Sequence, residues 1–512
     1  MAKKKNSEKT IKSALISVYH KAPAQKLIET LHRQNIKLIS TGGTLNFIKG
    51  LGIPVTPVEE YTGYPSLFGG RVKTLHPAIF GGILARRGVK KHQEEMEEFS
   101  IAPVDMVVVD LYPFEETLAS HASHEDIIEK IDIGGISLIR AAAKNYEDVL
   151  VVPSVAHFEE ALALISLKGS QTALEDRRRF AAAAFDVSSH YDSAIFHYLN
   201  KEEEDNGFKC SIPESRPLRY GENPHQEANF YGNLEDMFEQ LGGKELSYNN
   251  LLDIDAAINL MADLEGPSFA IFKHTNPCGV ASKSSLEAAW KAALSGDPVS
   301  AFGGILISNR NITRKISYAI NELFFEVLIA PGFDEQALDI LSQKKKRILL
   351  KSKPFEKSES RFRSALNGVL WQTPDEKVVK AGQWKVVTKN HPDEKQVHDL
   401  AFANTVVKHL KSNAIALIKN KQVIGTGMGQ TSRVDALKQA VLKAKSFKHS
   451  LEGAVMASDA FFPFADCVEI AHKEGIKAVI QPGGSVKDQD SIAYCDKNGL
   501  VMVFTGIRHF KH

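Results

Sequence analysis

Short apolar runs alternate with amphipathic stretches through the first 200 residues of the chain. The runs SALISVY, IKLIS and VDMVVVDLY have the β-branched, apolar character of buried strands. The intervening segments AQKLIETLHRQ and GTLNFIKGL have the periodicity of helices. This alternation predicts an α/β domain with a parallel sheet flanked by helices. Ligands of such sheets bind at the carboxyl ends of the strands, so the loops that follow the strands are candidate sites.

The pattern changes near residue 200. The segment NKEEEDNGFKCSIPESRP is acidic, contains proline and serine, and lacks apolar periodicity. We therefore predict a first domain over residues 1–200, a linker over 201–217 and a second domain over 218–512. The basic stretch SQKKKRILLKSKPFEKSESRFRS is predicted to be solvated surface rather than a nucleic-acid patch. The segments DPVSAFGGILI and ASDAFFPFADCV are too weakly similar to predict a repeat.

The composition is that of a globular protein. A chain of 512 residues, 43% hydrophobic and 24% charged, is long enough for two to four domains. Its 63 basic and 62 acidic side chains give a net charge of +1, which indicates no general affinity for nucleic acid or anionic membranes. No apolar run reaches the ~20 residues that cross a bilayer. Four scattered cysteines predict neither disulfides nor a CxxC metal pair, so we expect a cytosolic protein with a solvated basic tail, MAKKKNSEKTIK.

Three loops of the first domain combine glycines with cations. STGGT follows a predicted strand and opens a helix, so its backbone N–H groups suit an anion, although an ordinary strand-to-helix turn explains it equally well. FGGRVKTLHP concentrates cations and donors between glycines, which a solvated loop rarely needs. KIDIGGISLIRAAAKN is explained equally well by helix capping. Together they predict a phosphoester-binding domain, whose candidate residues are Thr41 to Thr44, Arg71 to Thr74, Tyr112, Asp132 and Lys144.

The second domain contains an abrupt change from apolar to ionisable residues. In SFAIFKHTNPCGVA, the run FAIF predicts a strand buried on both faces, Lys273 and His274 follow at its end, and NPCG predicts a turn. Lysine can stabilise an oxyanion, and histidine can remove a proton near neutral pH. A polar strand end without a chemical role is the plainer explanation of this stretch taken alone. In VIGTGMGQTSR, Gln430 replaces the third glycine of GxGxxG, which argues against a dinucleotide site.

Seven motifs in a fixed order give the chain a resemblance to a known family. GGRVKTLHP, IDIGGISLIRAAAKN, LRYGENPHQ, KHTNPCGVA, GQTSRVDAL, SDAFFPF and a terminal IRHF occur as in the bifunctional purine biosynthesis proteins. Those proteins join phosphoribosylaminoimidazolecarboxamide (AICAR) formyltransferase to IMP cyclohydrolase. The resemblance implies a methylglyoxal-synthase-like first domain that closes formyl-AICAR to IMP. It also implies a second domain of two cytidine-deaminase-like α/β subdomains, which transfers a formyl group from the co-substrate 10-formyltetrahydrofolate to AICAR.

For ring closure, the resemblance implies a proton donor and acceptor at Lys144. Lys73, Tyr112 and Asp132 would line and polarise the same site. Ring closure needs proton movement rather than a metal, so no metal is expected. The matching nucleotide-binding positions are Lys21, Thr41, Gly42, Gly43, Thr44, Arg71, Val72, Thr74, Asp110 and Ile133.

For formyl transfer, the resemblance implies His274 as the general base and Lys273 as the stabiliser of the transition state. The chain lacks an HxE motif with a following PCxxC, so zinc is not expected although the subdomain fold is shared with zinc deaminases. A homodimer with these sites across its interface is implied, without nucleic-acid or membrane partners. The matching AICAR positions are Arg219, Tyr220, Gly303, Glu326, Asn413, Arg433 and Arg508, and the folate positions are Val434, Phe461, Asp466, Ser485 and Val486.

Three departures from the family pattern leave alternatives open. Residues 17–22 read Ser-Val-Tyr-His-Lys-Ala, where the family usually has Ser-Val-Ser-Asp-Lys-Thr. Asp110 stands where the family usually has asparagine, and Glu326 stands where another member has aspartate. One alternative is a monofunctional formyltransferase whose first domain binds nucleotide but closes the ring weakly. Retained Lys144 opposes it, and we predict both activities. A nucleotide-binding regulatory protein is a second alternative, which the intact Lys273-His274 pair opposes.

Overall fold

The computed structural model describes residues 8–200, 207–355 and 358–512. The chain divides into two compact units, Met1–Pro213 and Glu214–His512. In the described part of the chain, no helix has the length and apolar character needed to cross a membrane.

The division falls inside the predicted linker. Residues 201–206 of that linker lie outside the described residues, and Ser215–Leu218 already forms a strand of the second unit. The first seven residues of the predicted basic tail also lie outside the described residues. Beyond them, Lys9–Thr10 pairs with Gln171–Thr172, so this part of the tail is a strand and not a frayed end.

The first unit is an α/β fold, as the sequence predicts. Its strands are β1 (Lys9–Thr10), β2 (Ser13–Val18), β3 (Lys37–Ser40), β4 (Thr56–Pro57), β5 (Met106–Asp110), β6 (Leu150–Val152) and β7 (Gln171–Thr172). The sheet has the order β4-β3-β2-β5-β6, and all its pairs are parallel. Consecutive residues Leu15 and Ile16 of β2 are both fully buried. Because successive strand residues point to opposite faces, the sheet is covered on both faces.

Helices and short 3-10 turns connect these strands. The helices are α1 (Lys21–Arg33), α2 (Gly42–Gly50), α3 (Val58–Thr62), α4 (Pro77–Leu84), α5 (Lys90–Glu98), α6 (Phe114–Ala119), α7 (His124–Ile128), α8 (Gly134–Lys144), α9 (Phe158–Lys168) and α10 (Leu174–Leu199). The predicted elements of this region are confirmed. α8 covers β5 and β6 with an apolar stripe that includes Leu138 and Ala142.

The second unit is built on two six-stranded sheets. Its strands are β8 (Ser215–Leu218), β9 (Ala228–Tyr231), β10 (Phe238–Gly242), β11 (Ser268–Lys273), β12 (Asn276–Ser282), β13 (Gly304–Ser308), β14 (Phe325–Ala330), β15 (Ile348–Ser352), β16 (Arg361–Ala365), β17 (Gly368–Gln372), β18 (Lys385–Val386), β19 (Ile415–Ile418), β20 (Val423–Gly427), β21 (Val455–Ser458), β22 (Ala478–Gln481) and β23 (Val501–Phe504). Its helices are α11 (Tyr248–Ala262), α12 (Leu286–Gly296), α13 (Arg314–Glu322), α14 (Glu335–Leu341), α15 (Glu394–Lys408), α16 (Arg433–Ser446), α17 (Asp466–Lys473) and α18 (Asp488–Asn498).

The two sheets share one topology. Their orders are β10-β15-β14-β13-β11-β12 and β18-β23-β22-β21-β19-β20, and corresponding pairs have the same direction. The unit therefore contains two subdomains of one topology, as the resemblance implies, although similarity between segments of the sequence did not predict a repeat. The two weakly similar segments are not equivalent within it, because DPVSAFGGILI enters β13 whereas ASDAFFPFADCV leaves β21. α11 packs on the first sheet and α15 on the second, and one continuous apolar core joins them.

Glycines allow helices to pack directly on the outer strands of both sheets. A Cβ built at Gly427 of β20 would lie 1.8 Å from the carbonyl oxygen of Ala436 in α16. A Cβ at Gly279 of β12 would lie 2.1 Å from the carbonyl oxygen of Ala293 in α12. Close packing against α16 therefore explains part of the glycine run in VIGTGMGQ. This run resembles a dinucleotide motif in sequence alone.

The substitution Gly427→Ala is expected to destabilise the second unit by about 3 kcal/mol, because strand and helix must separate to accept one methyl group. The measurement is the unfolding temperature of the purified chain, with Gly242→Ala in β10 as the control. A Cβ at Gly242 has no atom within 4 Å. Equal unfolding temperatures for the two variants would contradict the close contact between β20 and α16.

Candidate active sites

The carboxyl edge of the first sheet gathers a glycine pair and two lysines. α2 begins at Gly42, with Thr41 in extended conformation at its N-cap. A Cβ at Gly42 would lie 3.0 Å from Lys73 Nζ, and a Cβ at Gly43 would lie 3.0 Å from Lys21 Cε. Both lysines therefore reach the N-terminus of this helix. Because the first N–H groups of a helix are free and carry partial positive charge, the arrangement suits an anion such as a phosphate.

Thr44 ties this helix end to β2. Its hydroxyl accepts a hydrogen bond from Val18 N at 3.1 Å and donates one to Val18 O at 3.0 Å, and both bonds are buried. Lys21 Nζ donates to the carbonyl oxygen of Tyr19 at 2.9 Å. The start of α2 and Lys21 are thus held by the strand end rather than by a free loop.

Asp132 precedes α8 and lies beside Tyr112. Its carboxylate accepts from Gly135 N at 2.6 Å and from the backbone N–H of Tyr112. Burial raises the pKa of Asp132 by more than these hydrogen bonds lower it. Burial, and then the charge of Asp132, raise the pKa of Tyr112. A Cβ at Gly134 would lie 3.1 Å from Thr74 Oγ1, so the loop of Thr74 meets the start of α8.

Two departures from the family pattern contact each other. His20 N lies 2.8 Å and His20 Nδ1 2.9 Å from the same carboxylate oxygen, Oδ2 of Asp110. Asp110, which stands where the family usually has asparagine, is therefore hydrogen-bonded to His20, which stands where the family usually has aspartate. The third unusual side chain, Tyr19, packs edge-on against Tyr112 with ring centroids 5.7 Å apart, and Lys130 Nζ lies 5.4 Å from the Tyr19 centroid.

Lys144 lies apart from these residues. It is the exposed last residue of α8, whereas Asp132 precedes the first residue, so the rise of the helix separates them by about 15 Å. The next side chain, Asn145, donates to the carbonyl oxygen of Ile83 near the C-terminal end of α4 at 2.8 Å. The role predicted for Lys144 stays a prediction, without a contact to Asp132 in its support. The other predicted nucleotide positions are Arg71, which pairs with Glu129, half-buried Val72 and exposed Ile133.

In the second unit, the Lys273-His274 pair stands at a tight hairpin. Lys273 of β11 pairs with Asn276 of β12, so His274 and Thr275 form the two-residue turn between them. The predicted turn at NPCG is wrong, because these residues begin β12. Pro277 is tolerated there because β12 is the outer strand of its sheet.

Lys273 and Glu326 lie in the same charged cluster. Lys273 Nζ donates to the carbonyl oxygen of Phe302, and a Cβ at Gly303 would lie 3.4 Å from that nitrogen. The carboxylate of Glu326 accepts from Asn250 Nδ2 at 3.1 Å and from Lys244 Nζ at 3.2 Å. Burial alone would raise the pKa of Glu326, but these hydrogen bonds and the lysine charges lower it. The cluster therefore places a cation, Lys273, and a carboxylate, Glu326, beside the backbone of Gly303, which carries no side chain of its own.

Asn413 and Arg433 meet at the start of α16. Arg433 Nη2 donates to Asn413 Oδ1 at 3.0 Å and to Oδ1 of the buried Asp459 at 2.8 Å. Arg508 is next to this cluster because the following residue, His509, is bound to it. The backbone N–H of His509 donates to the carbonyl oxygen of Asp459 at 3.0 Å. These three predicted AICAR positions therefore share one neighbourhood.

One contact joins this neighbourhood to the hairpin. Asn276 Oδ1 accepts from Lys411 N at 3.4 Å, two residues before Asn413. Arg219 and Tyr220 pack on each other, with the guanidinium 4.9 Å from the ring centroid, in a loop that reaches α11 through Asn249.

The predicted folate positions combine apolar exposure with helix starts. Phe461 is 40% exposed and Val486 is fully exposed, so both offer apolar surface to a flat ring. Lys487 Nζ lies 4.4 Å from the ring centroid of Phe464, which joins the segment after β21 to the loop before α18. The other positions are Val434 in the first turn of α16, Asp466 at the start of α17, and Ser485, whose N–H donates to Asp488 Oδ2 at 3.0 Å.

Three further residues touch these sites but were not predicted. Asn250 holds Glu326, and Asp253 holds the backbone of the hairpin turn. The polar spacing of YNNLLDID, with Asn250 and Asp253 on one helix face, is the signal that could have identified them. In the first unit, the hydroxyl of Tyr191 accepts from Asp132 N at 2.9 Å and donates to Lys130 O at 2.5 Å.

Comparisons with known proteins show which family this chain resembles along its length. The model of the AICARFT/IMPCHase bienzyme family matches residues 142–443, and that of the MGS-like domain matches residues 24–137. The bifunctional purine biosynthesis protein PurH of Bacteroides thetaiotaomicron is 56% identical over 507 residues, which cover 99% of this chain and 100% of the relative. The chain belongs to the AICARFT/IMPCHase bienzyme family. PurH of Persephonella marina is 44% identical over 516 residues, covering 98% of this chain and 100% of the relative. The crystal structure of ForH covers 37% of this chain and 100% of its own at 30% identity, with a TM-score of 0.33.

The bienzyme carries AICAR formyltransferase and IMP cyclohydrolase activities in purine biosynthesis, as the resemblance implies. The α/β fold with a methylglyoxal-synthase-like first part is also confirmed. The monofunctional alternative is not favoured, because the similarity to bifunctional relatives extends through the first unit. A formyltransferase of this kind requires a folate co-substrate.

Proposed function

We propose that the first unit closes the purine ring and that the second unit transfers the formyl group. The MGS-like match within the first unit and the anion site at the start of α2 support the first assignment. The Lys273-His274 hairpin beside Gly303 and Glu326 supports the second. The boundary between the activities then lies near residue 213.

During ring closure, the carboxamide nitrogen of formyl-AICAR attacks the formyl carbon. The carboxamide nitrogen gives up one proton and the formamide nitrogen gives up another, and the formyl oxygen leaves with both as water. Asp132 moves these protons, because a carboxyl group with a raised pKa is better matched to proton transfer near neutral pH. Lys73 stabilises the oxyanion of the tetrahedral intermediate, and the Tyr112 hydroxyl donates a hydrogen bond to it. Lys21 and the start of α2 hold the phosphate, and Lys144 is assigned no step.

During formyl transfer, the amine of AICAR attacks the formyl carbon of 10-formyltetrahydrofolate. This amine is a weak nucleophile because its lone pair is delocalised into the ring. His274 takes its proton as the new C–N bond forms, while Lys273 stabilises the oxyanion. The bond from the formyl carbon to the folate nitrogen then breaks, and that nitrogen takes up a proton. Arg433 and Glu326 orient AICAR, and Phe461 packs on the folate.

The proposed assembly is a cytosolic homodimer. The hairpin of β16 and β17 exposes large apolar side chains, with Leu366 fully exposed and Leu370 and Trp371 more than half exposed. A second copy of this chain is the partner that would cover them. The four cysteines are free thiols, which fits a reducing compartment.

The experiment supplies AICAR and 10-formyltetrahydrofolate to the purified chain and separates formyl-AICAR from IMP at early times. We expect IMP to form faster than formyl-AICAR closes unaided. Accumulation of formyl-AICAR, with IMP appearing at the unaided rate, would contradict the role assigned to the first unit. Sedimentation of wild type and of Trp371→Glu tests the dimer, which the added charge is expected to dissociate.

A further inference from the structure

The turn that presents His274 has an unfavourable backbone. His274 and Thr275 have φ values of 51° and 62°, so both are in the left-handed region. Two-residue hairpin turns of this kind favour Asn and Gly, because other residues clash there at a cost of about 1–2 kcal/mol each. A β-branched residue such as Thr275 is especially disfavoured. Such a turn persists only where surrounding groups hold it, and strain of this kind is typical of functional sites.

Asp253 of α11 holds the turn from outside the hairpin. Its Oδ1 accepts from Thr275 N at 2.5 Å, and the backbone N–H of His274 also bonds to its carboxylate. On the other side of the turn, the carbonyl oxygen of His274 accepts from Thr275 Oγ1 at 2.7 Å and from Asn276 Nδ2 at 2.8 Å. The backbone of His274 is therefore fixed on both sides, while its imidazole is exposed.

The same face of α11 also holds the carboxylate of Glu326, which belongs to the charged cluster around Lys273. Asn250 lies one turn before Asp253 and donates to Glu326. The start of α11 is itself fixed, because Ser247 Oγ accepts from Asn250 N at 3.2 Å and Ser247 N donates to Asn250 Oδ1 at 3.2 Å. Because α11 packs on β11 and β13, it sets the distance between Glu326 and the hairpin turn.

We propose that Asp253 is a positioning residue for formyl transfer, which holds the His274-Thr275 backbone so that the imidazole is aimed at the amine of AICAR. This inference rests on the proposed role of His274 as the base. Asp253 acts through backbone hydrogen bonds rather than by contact with substrate. A displacement of about 1 Å at a reacting group can cost on the order of 100-fold in rate, so loss of these bonds has a large effect on turnover.

The test compares three variants of the full-length protein. Asp253→Ala is expected to lower kcat for formyl transfer 10- to 100-fold, on the order set by a misplaced base, with the KM for AICAR within about threefold of wild type. Asp253→Asn retains an oxygen acceptor and is expected to keep kcat within about threefold. The matched control is Asp255→Ala, on the exposed side of the same helix. Ring closure of formyl-AICAR is expected to be unchanged in all three.

Two outcomes with the single variants would overturn the proposal. One is an Asp253→Ala variant with wild-type kcat, and the other is an Asp253→Asn variant as slow as Asp253→Ala, since charge rather than hydrogen bonding would then matter. Should Asp253→Ala fail to fold, the double variant with Thr275→Gly removes strain from the turn and is expected to fold yet stay slow. Wild-type turnover in that variant would also refute the proposal. His274→Ala separates the two hypotheses, because an active His274→Ala contradicts the proposed base itself.

Discussion

Replacing His274 by alanine is expected to lower the rate of formyl transfer about 1,000-fold, within the range found for removal of a general base. The physical reason is that the amine of AICAR must lose a proton as it attacks, and His274 is the exposed imidazole at the hairpin turn beside Lys273. Ring closure of supplied formyl-AICAR is expected to continue at the wild-type rate. The measurement is initial-rate formation of formyl-AICAR and IMP from AICAR and the folate.

Two further variants make this result specific. Lys273→Met removes the proposed oxyanion partner and is expected to cost roughly 100- to 1,000-fold in kcat. His391→Ala removes an exposed histidine of the same unit, before α15, and is expected to have no effect. A His274→Ala variant that retains more than a tenth of the wild-type rate would show that another group takes the proton.

The local architecture of this chain is largely readable from its sequence. The alternation of apolar runs predicted β2, β3 and β5 with their intervening helices, because burial on both faces of a parallel sheet leaves continuous apolar segments. The sequence also predicted that Lys273 and His274 stand at a strand end. The turn itself was misplaced, since NPCG has strong turn character whereas His274-Thr275 does not. Tertiary contacts override that local preference.

The missed contacts join residues that are distant in the chain. Asp253 and Thr275 are 22 positions apart, and His20 and Asp110 are 90 apart. Local patterning carries no information about such pairs. His20 and Asp110 were therefore visible as two separate departures, and only the sheet order, with β2 beside β5, makes them one contact. Local patterning alone also did not reveal the repeat of the second unit, which the family resemblance implied and which the matching sheet orders show.

Replacing Lys73 by methionine is expected to lower the rate of ring closure roughly 100- to 1,000-fold, as for loss of an oxyanion-stabilising group. Formyl transfer is expected to be unchanged, so formyl-AICAR accumulates when the variant receives AICAR and the folate. The reason is the position of Lys73, whose Nζ would lie 2.6 Å from a Cβ at Gly70 and 3.0 Å from one at Gly42. It therefore reaches the start of α2 together with Lys21.

Two further lysine variants test whether ring closure depends more on Lys73 or on Lys144. Lys49→Met, at the exposed end of α2, is the matched control and is expected to have no effect. Lys144→Met is expected to cost less than Lys73→Met, because α8 holds Lys144 about 15 Å from Asp132. A loss as large as that of Lys73→Met would require Lys144 to reach a nucleotide from the far end of α8, and the assignment of proton transfer to Asp132 would then be wrong. A small loss leaves Asp132, with its raised pKa, as the group that moves the protons.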